Sequence, residues 1–130
     1  IVCGRDDLEL YARSGKFKER VEIYWKYNGD SRGMPCESDA RVMEPVQDAL
    51  QKAMEKDKLA ILTGVYTGDN ERTWIFYTRN VPAFGLNKAL SSFEKLPIVI
   101  YTEKDPDWNE YHEMYELRQE EGSDDVLADE

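Results

Sequence analysis

Leu59-Ala60-Ile61-Leu62-Thr63-Gly64-Val65-Tyr66-Thr67-Gly68-Asp69-Asn70-Glu71-Arg72-Thr73-Trp74-Ile75-Phe76-Tyr77-Thr78 is the stretch on which the fold turns. Two runs rich in β-branched and aromatic residues, Leu59 to Thr67 and Arg72 to Thr78, flank Gly68-Asp69-Asn70-Glu71, a hairpin turn signal. A two-residue turn at Asp69-Asn70 pairs Thr67 with Arg72, and hence Tyr66 with Thr73, Val65 with Trp74, Thr63 with Phe76 and Leu62 with Tyr77. Because side chains alternate across a sheet, Val65, Trp74, Thr63 and Phe76, with Ile61, are expected under covering helices. Tyr66, Leu62, Ile75 and Tyr77 are expected on the other face.

Upstream of the hairpin, Val21, Ile23, Trp25 and Tyr27 alternate with Glu22, Tyr24 and Lys26, which describes a strand beginning near Phe17. Asn28 to Gly33 is a turn-rich loop, and Met34-Pro35 keeps the chain extended. Between Ser38 and Asp57, Val42, Val46, Ala49, Leu50 and Ala53 recur at helical spacing. Pro45 should kink or restart that helix, since an interior proline removes a hydrogen bond. Leu8 to Ala12 followed by Ser14-Gly15 fits a short helix or the first arm of a hairpin, and the hairpin is preferred.

Downstream, a helix after Val81-Pro82 should turn Phe84, Leu86, Leu90 and Phe93 inward, with Gly85 as its weak point. Pro97 opens a strand from Ile98 to Thr102. Asp105-Pro106-Asp107 reads as the N-cap, first-position proline and first-turn acid of a last helix reaching about Gln119.

Strand, helix, strand, strand, helix, strand is an order that right-handed crossovers satisfy as an α+β fold, the ferredoxin-like βαββαβ sandwich. Here it carries an added C-terminal helix and a short N-terminal extension. Residues 1–19 are expected to form the extension or hairpin arm, 20–119 a single α+β domain and 120–130 an acidic, disordered tail. The second sheet face then gathers Tyr24, Tyr66, Tyr77 and Tyr101 beside Val99. Trp108, Tyr111 and Tyr115 share one side of the last helix, which is preferred over a second copy of the chain as the cover of that face. Tyr24, Tyr66, Tyr77, Tyr101, Trp108 and Tyr111 are therefore the candidate binding surface.

The 130 residues are 41% hydrophobic and 12% aromatic, enough for one core. Apolar runs such as Pro97 to Tyr101 are far shorter than the ~20 residues that cross a bilayer, so no membrane span is expected. The net charge of -10 is concentrated: Glu103 to Glu130 holds 12 acidic and 2 basic residues, while the remaining 15 of each sign cancel. Such a segment argues against nucleic acid; it is expected chiefly to keep a helix soluble and the last residues disordered, with a basic protein partner as the functional alternative. Arg13, Lys16, Lys18 and Arg20 read as a solvated strand edge, with docking of an anionic partner or of the chain's own acidic end as the alternative.

Cys3 and Cys36 are too few for a disulfide framework; one bridge stays open, and a cytoplasmic home is expected. The sequence opens at Ile1 rather than Met, which leaves an upstream signal sequence open. A lipid-modified Cys3 fits poorly, because Val2 is bulkier than the residue such processing sites place before the cysteine.

Nucleophilic catalysis needs a base, and the one histidine, His112, sits in an acidic helical stretch that suits a solvated surface role. Glu103, Asp105, Asp107 and His112 are the best metal-ligand set, yet helix capping accounts for both aspartates without an ion. Gly29 and Gly33 neither belong to a nucleotide fingerprint nor precede a Walker lysine. No cofactor and no catalytic residue is expected.

Glu22-Ile23-Tyr24-Trp25-Lys26-Tyr27, Gly33-Met34-Pro35, the run Thr67 to Tyr77 and the run Asp105 to Tyr111 together resemble the bacterial domain-of-unknown-function 695 family. The resemblance spans about Arg20 to Leu117 and implies a compact α+β domain without an established activity. The function expected is a non-enzymatic protein-interaction or regulatory domain, binding a protein partner or a second copy through a sheet face or the acidic C-terminal helix. The alternative is a small-molecule-binding domain or enzyme with a site between sheet and helices. Single-stranded RNA binding by aromatics on the central strands is a third reading, which the charge opposes.

Overall fold

The computed structural model describes residues 2–6, 8–56, 58–93 and 96–120. Alternating side chains and the central hairpin build one antiparallel sheet from β1 (Val2–Gly4), β2 (Glu19–Lys26), β3 (Ala60–Gly68), β4 (Glu71–Thr78) and β5 (Ile98–Lys104). The strand order is β1-β3-β4-β2-β5. Helices α1 (Glu9–Arg13), α2 (Glu37–Lys56), α3 (Val81–Gly85), α4 (Lys88–Ser91) and α5 (Asn109–Glu120) complete an α+β fold.

The hairpin closes as expected near its turn. Asp69 and Asn70 both take positive φ, 52° and 65°, the condition of a type I′ turn whose twist matches its strands. Thr67 faces Arg72, Tyr66 faces Thr73 and Val65 faces Trp74. Gly64 still faces Ile75 in that register; beyond it a β-bulge intervenes, so that Leu62 faces Phe76 and Ile61 faces Tyr77. Thr63 is the extra residue: its carbonyl accepts from the Arg5 N–H at 3.1 Å and its hydroxyl donates to the Ile75 carbonyl at 3.3 Å. The carbonyl and the hydroxyl of the fully buried bulge residue are thereby satisfied. The expected pairs Thr63–Phe76 and Leu62–Tyr77 are corrected for that reason, and Leu62 and Ile61 exchange faces.

On the first face, Val21, Ile23, Trp25, Leu62, Val65, Trp74 and Phe76 pack against α2, α3 and α4. Trp25 meets Trp74 edge-on at 5.8 Å, and the Trp74 indole N–H donates to Gln47 of α2 at 2.9 Å. The buried stripe of α2 is Met43, Val46, Leu50 and Met54; Val42, read as inward-facing, is 49% exposed. The helix runs unbroken through Pro45, so it does not restart there. Pro45 and Arg41 are both exposed, which lets water take the Arg41 carbonyl that the proline cannot bond. Pro45→Ala restores that bond, and a gain of about 1–2 kcal/mol in urea unfolding is expected, within the ~3 kcal/mol that interior prolines cost. A variant less stable than wild type would contradict this.

The single helix expected after Val81-Pro82 is two short ones. Asn80 and Asn87 each cap a new start, accepting from Ala83 N–H at 2.8 Å and Ala89 N–H at 2.9 Å. Phe84 and Leu90 are buried, whereas the break leaves Leu86 83% exposed. Near the N-terminus, α1 replaces the preferred hairpin arm: Ala12 and Ser14 N–H close helical bonds on Leu8 and Leu10, and β1 instead extends the sheet beside β3.

The second face is covered by α5. Trp108, Tyr111 and Met114 pack on Ile61, Ile75 and Tyr77, joined by Val2, Leu8 and Phe17. A Cβ on Gly64 would stand 3.2 Å from Met114 Cε, so glycine there permits the close approach. The helix starts at Asn109 rather than Pro106, because Asp105 to Trp108 form a turn that closes through Trp108 N–H to Asp105 O at 3.0 Å. Trp108 has φ 56°, and Asp105 Oδ1 accepts the Asn109 N–H at 2.9 Å. Asp105 thus caps α5 from farther upstream than its sequence suggests. Residues 121–130, nearly all of the expected acidic tail, lie outside the described residues. No described helix is long and apolar enough to cross a membrane.

Candidate functional site

Alternation along β2 sends Arg20, Glu22 and Tyr24 to the second face, beside Tyr77, Ile75 and Thr73 of β4 in that order. α5 lies nearest β1 and β3 while its side chains also reach β4, so it leans toward that edge of the sheet. Between α5 and the middle strands lies a groove of about 370 Å³. Its floor is Thr73, Ile75 and Met114, all buried; Tyr24 and Tyr66 are half-buried walls; Glu113 and Leu117 are exposed at its rim. Glu22 and Glu110 complete the lining.

The carboxylates are held by phenols and by one guanidinium. Tyr24 donates to Glu22, and Tyr66 donates to Glu110. Arg20 spans three acids: Glu22 at 2.6 Å, Glu103 at 3.1 Å and Asp105 at 3.1 Å. Burial opposes the Arg20 charge, but Glu22 and Asp105 more than offset it and raise its pKa. Burial raises the Tyr66 and Tyr24 phenols, with their acceptor carboxylates adding to the effect. Burial also raises Glu110, although the Tyr66 hydroxyl and Arg20 pull the other way; its Oε1 is buried and has no hydrogen-bond partner among the described residues. A carboxyl in that setting binds a proton or a cation more readily than a solvated one.

Asp105 anchors this arrangement from behind. It is 5% exposed and accepts from Tyr77 Oη at 2.7 Å, Arg20 at 3.1 Å, Asn109 N–H at 2.9 Å and Glu110 N–H at 3.1 Å. Burial pushes its pKa up, and these donors together outweigh burial and lower it.

The six aromatics of the candidate surface separate into three places. Tyr24 and Tyr66 line the groove. Tyr77, Trp108 and Tyr111 are interior residues of the α5 layer: Tyr77 stacks on Trp108 at 4.3 Å, the Trp108 N–H donates to Phe17 O at 2.8 Å, and Tyr111 Oη donates to Arg5 O at 2.6 Å. Tyr101 stands apart on β5, 46% exposed, donating to Glu103 at 2.6 Å. The reading missed Glu22, Glu110, Glu113, Met114 and Leu117. Glu110, Met114 and Leu117 recur at helical spacing next to the buried stripe, which was the available signal.

His112 lies at 2.9 Å from Glu9 with its side chain 45% exposed, away from the groove. No three metal-ligating side chains gather among the described residues, and Asp105 and His112 of the expected set serve different neighbours. Arg20 does not belong to a solvated basic edge, since its side chain is 13% exposed and bound to acids, two of them from the chain's acidic end.

A family model described as a family of unknown function, DUF695, matches residues 5–115. The chain belongs to the DUF695 family. The match takes in β2 to β5 and most of α5, and with them every lining residue of the groove except Leu117. No match was found among curated proteins or among solved structures.

Proposed function

We propose that this DUF695 domain is a protein-interaction module whose groove receives a lysine or arginine side chain from a basic partner. One observation carries the proposal: three carboxylates and two phenols line the groove, and among the described residues no lysine or arginine does. Glu113 is exposed at the rim, while Ile75, Met114 and Leu117 offer an apolar track. Lysine and arginine have a matching form, an apolar stem ending in a charged head. The volume of about 370 Å³ is at the small end of the ~300–1,000 Å³ typical of ligand pockets, suited to a side chain. The scaffold reads as a ferredoxin-like sandwich with β1 as an added edge and α5 as an added cover; the antiparallel order β3-β4-β2-β5, whose middle strands are the first and third of the four, supports that reading.

Titration of a short peptide bearing lysine, arginine and leucine, followed by backbone amide shifts, tests the proposal. Shifts should map to Glu22, Tyr66, Glu110 and Glu113, and affinity should fall as salt rises. Glu113→Lys, at an exposed position, should leave the fold intact and weaken binding about tenfold or more, as a like charge in place of an attractive one does. Unchanged affinity in that variant, or equal binding of a glutamate-substituted peptide, would defeat the proposal. Free arginine binding as tightly as the peptide would defeat it in favour of a small-molecule site.

A further inference from the structure

The two edges of the sheet are treated differently. β1 is three residues long and largely covered, whereas β5 is seven residues long with six of them exposed. Val99 is 65%, Ile100 42% and Tyr101 46% exposed. Ile98 and Ile100 align with Trp25 and Ile23 on the first face, and Val99 and Tyr101 align with Tyr24 and Glu22 on the second. Apolar side chains are thus exposed on both faces of one edge strand. A partner resting on either face covers only half of them, whereas an added strand covers both.

Soluble proteins blunt such edges with charges, prolines or bulges. Here Pro97 stands at one end and Glu103 and Lys104 at the other, Ile98 to Thr102 contain neither charge nor proline, and the pairing with β2 runs without a register shift. We infer that β5 pairs antiparallel with β5 of a second copy, about a two-fold axis at Ile100, joining two sheets into one.

The sequence of the strand selects this occupant and register. A two-fold axis normal to the sheet places residues of equal parity opposite each other. Centred on Ile100, the axis sets Ile100 against itself, Val99 against Tyr101 and Ile98 against Thr102, pairings of β-branched and aromatic residues that suit neighbouring strands. Glu103 and Lys104 then fall opposite Pro97 and Leu96, so no like charges meet. Moving the axis to Tyr101 would put Glu103 against Val99 and Lys104 against Ile98.

The acidity of the chain does not oppose the pairing. α5 lies nearest β1 and β3, and β3 lies three strands from β5, about 14 Å at ~4.8 Å per strand. The two acidic helices end up on opposite outer sides, farther apart than the ~8 Å screening length at physiological salt. The groove beside α5 stays open. The strip is narrow, at the low end of biological interfaces near about 1,200 Å², so the dimer is weak and concentration-dependent.

Sedimentation of the full chain over a wide concentration range should show reversible monomer–dimer exchange. Ile100→Lys and Ile100→Glu each place like charges across the axis and should stay monomeric, while an equimolar mixture of the two should dimerise again. Unsubstituted chain that remains monomeric at its solubility limit overturns the proposal. So does an Ile100→Lys chain that dimerises like the unsubstituted one, or a mixture that stays monomeric. Hydrogen exchange of the unsubstituted chain tests it without a variant: the β5 amides that point away from β2 should gain protection with concentration, and exchange that ignores concentration would rule the pairing out.

Discussion

Asp105→Ala should cost about 3–5 kcal/mol of unfolding free energy, the range seen when one partner of a buried charged pair is deleted. The carboxylate is the acceptor for the Tyr77 hydroxyl, the Arg20 guanidinium and two N–H groups at the start of α5, and alanine leaves the buried hydroxyl and the two N–H groups without it. Arg20 keeps Glu22 and Glu103, so the Tyr77 side and the helix start suffer most. Asp105→Asn, which retains an acceptor and loses the charge, should fall between wild type and alanine. The dependence on pH has a definite sign. Because the folded pKa of Asp105 is lowered, its contribution is present above the unfolded value of about 3.9 and disappears as pH falls through the folded value. Glu110 behaves oppositely: its folded pKa is raised, so its contribution is present below the ordinary glutamate value and is lost as pH rises through the folded one. Urea unfolding at neutral pH and below about pH 4 separates the two. A loss under about 1 kcal/mol at neutral pH would show that water replaces the carboxylate at little cost.

Trp108→Ala should be equally damaging, about 3–5 kcal/mol, as for large buried aromatics generally. The indole is 1% exposed, stacks on Tyr77 at 4.3 Å, meets Tyr111 edge-on at 5.4 Å and donates to Phe17 O at 2.8 Å. Its removal opens the α5 layer where it is thickest. The backbone adds a second readout, since Trp108 has φ 56°, a left-handed conformation that costs an L-residue roughly 1–2 kcal/mol. Trp108→Gly should therefore be more stable than Trp108→Ala by about 1 kcal/mol, although it removes one more carbon. Chemical denaturation of both variants decides the matter; glycine no better than alanine would mean the turn relaxes once the indole is gone.

The sheet was legible where local chemistry determines geometry. Asp69 and Asn70 tolerate the left-handed turn, so the register is right next to them, and the alternation of Val21, Ile23, Trp25 and Tyr27 marks the first face. Legibility failed at Gly64. Alternation assumes an unbroken ladder, and a bulge at Thr63 shifts everything beyond it by one residue; a glycine inside a strand was the available warning. On α2, Val42 and Ala49 looked inward because they are apolar, while Met43 and Met54 fill the core. The two tyrosine walls of the groove were readable, since Tyr24 and Tyr66 belong to the second face by parity. The acids were not: on a sheet face Glu22 looks solvated, and Glu110 gains meaning only once α5 is known to lean toward β1 and β3. Tyr77, Trp108 and Tyr111 were sound as apolar partners and misassigned as surface, because a cover buries the residues that call for it.

The meeting of the chain's two ends bears on its synthesis. Tyr111 Oη reaches the Arg5 carbonyl across 106 positions, and His112 reaches Glu9 across 103. A ribosome delivers β1 and α1 before the other strands and α5 after them, so Val2, Leu8 and Phe17 wait for α5 before they are enclosed. The hairpin and α2 close over short loops as they emerge, while the α5 layer must await the emergence of α5 and a long loop closure. During that interval Ile61, Ile75 and Tyr77 face water on an already formed sheet, which makes the half-wrapped chain, rather than the finished one, the form most in need of a chaperone.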